Sequence, residues 1–316
     1  MRSTTVGLVG RVRRLTGLPS RCRIYELSPR DGLQNETTLV ETATKVEFIN
    51  RLSRIGAAAV ETTSFVSAKA VPQMADCTAV MDQIERIDGI DYPVLVLNLK
   101  GFERALNAGA NSVAIMTVPS ETFARRNNNC SPSETVDRAE KIARAAIERG
   151  VRVRGYVSCS LGCPFEGPIA PQAVAEMAER LHLAGCQEIC LADTIGTGTA
   201  GSMRLLLENV INKIPAERLA VHCHDTYGQA LANIYVALEH GVATIDSSVA
   251  GLGGCPFAGP GASGNVATED VVYMLDGLGI DSGVSFEKAV EAGQFIVDVL
   301  GRPNASRASV AYQRRR

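Results

Sequence analysis

Arg218-Leu219-Ala220-Val221-His222-Cys223-His224-Asp225, followed by the apolar-spaced stretch from Gly228 to His240, reads as a β-strand that feeds a helix. Strand side chains alternate faces, so His222 and His224 project to one side while Cys223 points away as a packing residue. The pair falls at the strand's C-terminal end, where barrel and open α/β proteins place their chemistry. Two imidazoles on one face are a candidate metal grip, but an isolated His-x-His is as often one buried and one exposed histidine. What else converges on that end decides the reading.

The same strand-then-helix unit recurs along the chain. Candidate strands lie near 23–27, 57–62, 93–98, 112–117, 151–158, 187–192, 218–224 and 243–248, with helices expected at 38–55, 70–86, 101–108, 132–149, 171–184, 200–212, 228–240 and 268–277. Eight βα units without a linker predict an α/β protein of the (β/α)8 TIM-barrel class over two smaller domains. Residues 285–300 read as one more amphipathic helix against the outside. A doubly wound open sheet would carry a glycine fingerprint after its first strand, and Ser28-Pro29-Arg30-Asp31-Gly32-Leu33-Gln34-Asn35-Glu36 is not one. The expected organisation is a basic extension over 1–22, the barrel with its C-terminal helix over 23–300, and a basic tail over 301–316.

At 316 residues and 46% hydrophobic, the chain can bury a substantial core. A net charge of −2 with both signs interspersed implies no basic face for nucleic acid, and no apolar run approaches the length of a membrane helix. Nine cysteines at irregular spacing suggest free thiols in a reducing compartment; Cys159 with Cys163, and Cys186 with Cys190, fit core thiols better than metal pairs. Ahead of Glu26, the first acidic residue, stand six arginines (Arg2, Arg11, Arg13, Arg14, Arg21, Arg23) in a composition resembling an organelle transit peptide. Because Arg21 and Arg23 read as part of the first strand, a frayed extension and a cytoplasmic location are preferred to a mitochondrial matrix address.

If the barrel is right, its strand ends form one rim. They deliver Arg30-Asp31, Glu61-Thr62-Thr63-Ser64, Tyr156-Val157-Ser158-Cys159, Asp193-Thr194, His222 to Asp225, and Asp246-Ser247-Ser248. A strand-one carboxylate with two strand-seven imidazoles makes an N,N,O set with open positions for water or substrate. Such donors suit Mn²⁺, Co²⁺ or Zn²⁺, and Mg²⁺ where substrate oxygens complete an octahedron. Arg30 is expected to diverge from Asp31 and meet an oxyanion elsewhere in the pocket, or else to pair with Glu26 or Glu61. The glycine-rich stretch Gly251 to Asn265 reads as a mobile binding loop, in which Cys255 is the one cysteine with an argument for reactivity.

These residues together resemble a family, the 3-hydroxy-3-methylglutaryl-CoA lyases among the TIM-barrel metallolyases. The likeness is carried in order by Pro29 to Glu36, Glu61 to Val66, Gly155 to Cys159, Leu161 to Pro164, Asp193 to Gly196, His222 to Gly228 and Ser247 to Asn265. It implies Asp31, His222, His224 and Asn265 as ligands of a divalent metal, Mg²⁺ or Mn²⁺ first. It implies Arg30 and Gln34 at the substrate, Cys255 on a catalytic loop, and Glu61, Tyr156, Asp193 and Glu269 in the supporting hydrogen-bond network. The implied reaction is retro-Claisen cleavage of 3-hydroxy-3-methylglutaryl-CoA into acetoacetate and acetyl-CoA, a step of leucine catabolism and ketone body formation. In that chemistry His222 is a candidate participant in removing the tertiary alcohol's proton, Arg30 meets the enolate, and Cys255 protonates its carbon. The sequence departs from the family pattern in Gly259-Pro260-Gly261, which makes the loop one residue longer.

The nearest alternatives are a lyase on a related 3-hydroxyacyl-CoA and a condensing enzyme of the isopropylmalate or homocitrate synthase kind. The latter resemble Asp-Gly-Glu-Gln after the first strand, where this chain has Gly32-Leu33-Gln34-Asn35. A noncatalytic acyl-CoA-binding barrel is the alternative from another class. The expected partners are an acyl-CoA substrate and a second copy of the chain in a homodimer, with neither nucleic acid nor membrane.

Overall fold

In a computed structural model, which describes residues 17–254 and 264–315, every strand is parallel to its neighbours. The strands are β1 (Arg23–Glu26), β2 (Ala59–Val60), β3 (Thr63–Ser64), β4 (Val94–Leu95), β5 (Ser112–Thr117), β6 (Arg152–Val157), β7 (Glu188–Asp193), β8 (Leu219–Cys223) and β9 (Thr244–Ser247). They pair in the order β2-β1-β9-β8-β7-β6-β5-β4-β3. The two ends of that order are consecutive in the chain, so the sheet closes on itself into the expected (β/α)8 barrel.

The second expected strand, 57–62, is split in two, and Pro93 supplies the reason. Val60 N–H donates to the Asp91 carbonyl at 2.8 Å and Thr62 N–H to the Pro93 carbonyl at 3.0 Å. An evenly spaced parallel ladder would next ask residue 93 to donate to Val60, and proline has no N–H to give. Glu61 sits in the resulting gap, its own N–H bonded to the Glu26 carbonyl across β1 at 2.9 Å.

Strand alternation sorts the core. Val153, Val157, Ile189, Leu191, Leu219, Val221, Cys223 and Ile245 face outward into one large cluster with the helices. Leu95, Ala114, Tyr156, Cys190 and Ala220 fill the barrel's interior. The cysteines expected to be packing thiols, including Cys159, Cys163, Cys186, Cys190 and Cys223, are free and buried. Helices fall close to their expected spans, and their ends are marked chemically. Ser131 and Glu134 form a capping box ahead of Pro132–Glu148, while Gly279 and Gly301 close Thr268–Leu278 and Phe286–Leu300 in left-handed conformation.

Two expectations at the chain's ends are corrected. Leu18 and Cys22, assigned to a frayed extension, are buried against the barrel, and Cys22 N–H bonds to the Asp281 carbonyl at 2.9 Å. From residue 301, where a basic tail was expected, Arg307–Gln313 forms a further helix. Asp270 accepts from Ser306 Oγ at 2.8 Å and Ala308 N–H at 2.7 Å at its start, and Tyr312 meets Phe286 edge-on at 5.4 Å. A capped helix with an aromatic anchor outweighs the charge of its three trailing arginines. Among the described residues no helix is long and apolar enough to cross a membrane.

Candidate active site

His222 is the fourth residue of β8 and His224 follows the strand's last residue, so the period of two places both inside the mouth. Their rings lie 5.0 Å apart. Asp31 arrives differently. The chain leaves β1 into a wide helical turn over Ser28–Gly32, not a continued strand, so Arg30 and Asp31 do not diverge as expected. Arg30 Nη1 donates to Asp31 Oδ1 at 2.5 Å, and Arg30 Nε pairs with Glu61 Oε1. Glycine is needed in this turn: a Cβ on Gly32 would stand 3.0 Å from both Leu252 Cβ and Ser248 Oγ.

Asp31, His222 and His224 bring one ligand atom each to within 4.8 Å of one another. Asp31 Oδ2 lies 3.7 Å from His224 Nε2 and accepts from Asn265 Nδ2 at 2.8 Å. The same Asn265 nitrogen donates to the Leu252 carbonyl at 3.1 Å. With both neighbours acceptors, the amide nitrogen belongs there, and Oδ1 is the ligand atom Asn265 has left. Burial would raise the Asp31 carboxyl, but the Arg30 guanidinium and both histidines outweigh it and hold the acid well below the usual carboxylate range. Burial pushes His224 down, toward the uncharged ring that a metal ligand requires. Among the described residues the buried Nδ1 of His224 has no hydrogen-bond partner. Two imidazoles and a carboxylate converging at the mouth of one pocket fit a divalent cation.

The second arc of the site was only half foreseen. Glu61 Oε2 accepts from Tyr156 Oη at 3.0 Å, and Arg154 Nη1 reaches the same phenol at 2.5 Å. Arg154 then grips Asp246 through both Nη atoms, at 2.6 and 3.0 Å, and Asp246 Oδ2 stands 3.3 Å from His222 Nδ1. Arg154 holds the Asp246 carboxyl down to about 2 against the raising effect of burial. His222 therefore donates through Nδ1 and presents the Nε2 lone pair to the cluster. Sequence reasoning missed Arg154, although its spacing of two from Tyr156 on β6 was the available signal.

Two other expected supporters lie outside this ring. Asp193 accepts from the backbone of Thr197 at 3.1 Å and Gly198 at 2.9 Å and orders the loop after β7; burial pushes it up to about 6. Glu269 accepts from Ala250 N–H at 3.1 and 3.0 Å, fixing a turn in which Ala250 has φ +57°. Its neighbour Glu26, which Arg30 does not touch, receives Val249 N–H at 3.2 Å and Thr268 Oγ1 at 2.6 Å. These two carboxylates root the segment leading to Cys255, which itself lies outside the described residues. Gly253 and Gly264, on either side of 255–263, leave no room between them: a Cβ on Gly264 would be 2.0 Å from the Gly253 carbonyl oxygen.

Burial, together with Asp270 and Glu26, pushes Glu269 up to about 8 from an ordinary 4.5. A folded value above the unfolded one means the group's stabilising contribution is complete below pH 4.5 and is lost as pH rises through about 8. Glu269→Gln is expected to flatten the fall in melting temperature across that window. An unchanged slope in a calorimetric series would remove Glu269 as its source.

The cluster opens into a cavity of about 510 Å³ whose lining includes Arg30, Asp31, Gln34, Tyr156, His222 and His224. Its lining also includes Leu95 to Asn98, Asn127, Asn128 and Arg138, and its volume lies in the range of small-molecule pockets. Gly254, the residue before Cys255, also lines it, and its carbonyl accepts from Asn35 Nδ2 at 2.6 Å.

The HMGL-like family model matches residues 21–296. A human cytoplasmic 3-hydroxy-3-methylglutaryl-CoA lyase is 53% identical over 94% of this chain and 80% of its own length. A mitochondrial hydroxymethylglutaryl-CoA lyase of Pongo abelii is 55% identical, covering 93% of this chain and 90% of its own. The crystal structure of hydroxymethylglutaryl-CoA lyase from Pseudomonas aeruginosa superposes with a TM-score of 0.92 at 51% identity, over 95% of this chain and 100% of that one.

Proposed function

Because the chain belongs to the HMGL-like family, we propose that it is a carbon–carbon lyase that cleaves 3-hydroxy-3-methylglutaryl-CoA into acetoacetate and acetyl-CoA with a divalent cation. The observation that carries this reading is the convergence of Asp31, His222 and His224 beside Arg30 at the mouth of one cavity. Asp31, His222, His224 and Asn265 are the residues that would hold the cation, which we take to be Mg²⁺ or Mn²⁺. When bound, it supplies Lewis-acid polarisation of the substrate's C3 hydroxyl.

The chain's own residues do the rest. The C2–C3 bond breaks as the hydroxyl proton passes to water in the open cavity, and the bond's electrons pass to the thioester as an enolate. Arg30, kept charged by Glu61 and Asp31, is the fixed cation for that oxygen. His222 has Nδ1 occupied by Asp246, so holding a cation and carrying a proton exclude each other; we assign it the first, against the proton-removing role expected from the sequence. Gln34 lines the cavity as a substrate contact. Protonation of the enolate carbon we assign to Cys255, following the family resemblance. Of the two compartments named among the relatives we propose the cytoplasm, since Arg21 and Arg23 of the arginine-rich segment belong to the folded barrel.

The test is acetoacetate release from 3-hydroxy-3-methylglutaryl-CoA by metal-stripped protein, before and after adding Mg²⁺ or Mn²⁺. Restored cleavage is the expected result. No cleavage by protein shown to bind the cation would redirect the assignment to a related 3-hydroxyacyl-CoA or to the condensing direction.

A further inference from the structure

We infer that Arg154 and Asp246 are a positioning pair that holds His222 in its ligand role and ties it mechanically to Arg30. The inference rests on His222 being a cation ligand. An arginine inside a barrel is costly to bury, and packing does not call for one: the interior positions beside it are filled by Ala114, Cys190 and Ala220. Arg154 instead commits four of its five N–H donors to side-chain partners. It donates to Asp246 twice, to Tyr156 Oη at 2.5 Å and to Glu188 at 2.8 Å, and its guanidinium stacks 3.9 Å from the Tyr25 ring.

From Arg154 two arms reach the rim. One runs through Asp246 to His222 Nδ1, the carboxylate–imidazole contact that fixes the tautomer and aim of a ligating histidine. The other runs through Tyr156 and Glu61 to Arg30 and so to Asp31. Asp31 and His222 are the two ends of this path and also members of the three-residue donor cluster. The contacts therefore form a ring that the cation site closes, with charges alternating in sign from Asp31 through Arg30, Glu61 and Arg154 to Asp246. A shift at Arg154 moves a ligand and the enolate's cation together.

The experiment is Mn²⁺ titration of the metal-free full-length chain, reading free Mn²⁺ by electron paramagnetic resonance, alongside kcat and KM at saturating Mn²⁺. Asp246→Asn should weaken Mn²⁺ binding about 10- to 100-fold and lower kcat with KM for the acyl-CoA little changed. Arg154→Lys, which keeps the charge but not the fork, should fall between that variant and the parent. If Asp246→Asn leaves Arg154 unpaired and does not fold, the double variant Arg154→Met/Asp246→Asn removes both charges and carries the same expected loss. Parental Mn²⁺ affinity and kcat in the folded variant, whatever its melting temperature, would overturn the positioning role, provided His222→Ala has lost Mn²⁺. Undiminished Mn²⁺ binding by His222→Ala would instead overturn the ligand assignment beneath it.

Discussion

His222→Ala and Asp31→Ala should each lower metal-dependent cleavage by about 10³-fold or more while leaving the circular dichroism spectrum unchanged. Lewis-acid stabilisation of a developing oxyanion amounts to several kcal/mol, and each 1.36 kcal/mol is tenfold in rate. Neither residue is a keystone of the barrel. His222 stands at a strand's open end, and Asp31 lies in the turn beyond β1, where Arg30 keeps Glu61 as a partner when Asp31 is gone. Rate and Mn²⁺ binding should fall together in both variants. Parental rates in either would remove that residue from the cation site.

Arg30→Lys is the second large effect, expected to cut kcat by about 10²- to 10³-fold, the range seen when one preorganised oxyanion donor is lost. Arg30 uses Nε for Glu61 and Nη1 for Asp31, so two anchors fix its plane and leave donors of known direction for a substrate oxygen. A lysine brings one ammonium on a flexible stem and cannot satisfy both carboxylates and an enolate in that geometry. Because Asp31 keeps its place near His224, Mn²⁺ affinity should change far less than kcat, which separates this variant from the ligand variants. Arg30→Met should additionally destabilise the fold by about 3–5 kcal/mol by stranding Glu61 without its ion pair. Turnover by Arg30→Lys at the parental rate would rule out the enolate role.

What the sequence made legible follows from which regularities are local. Strand period and strand-to-helix alternation are enough to define the eight units and to put His222, His224 and Asp31 at one rim. The divided second strand was not legible, because it depends on a missing N–H in Pro93, a residue of the neighbouring strand. Of the two readings open for Arg30, its pairing with Glu61 is the one seen; it does not diverge from Asp31 because Ser28–Gly32 is a helical turn and not a strand end. Arg154 escaped notice since a charge within a strand ordinarily signals a solvent face, whereas the inside of a closed barrel has none. The resemblance carries residues but not distances for Asp193 and Glu269; both side chains hold loops that build the site, and Asp193 meets the cluster only through its backbone carbonyl, which accepts His224 N–H at 3.4 Å.

The barrel is also unevenly sewn. β5 with β6, β6 with β7 and β7 with β8 share between four and six register pairs, while β1 with β2, β3 with β4, β4 with β5 and β8 with β9 share two each. Local opening costs least where few backbone bonds must break, so breathing concentrates at the seam around the interrupted strand. That seam carries Val66 and Leu95 to Asn98, which line the cavity, whereas the imidazoles ride on β8 and its end, and β8 shares five register pairs with β7. A long thioester can thus be admitted by a yielding wall while the groups that must keep their aim stay tied to β7.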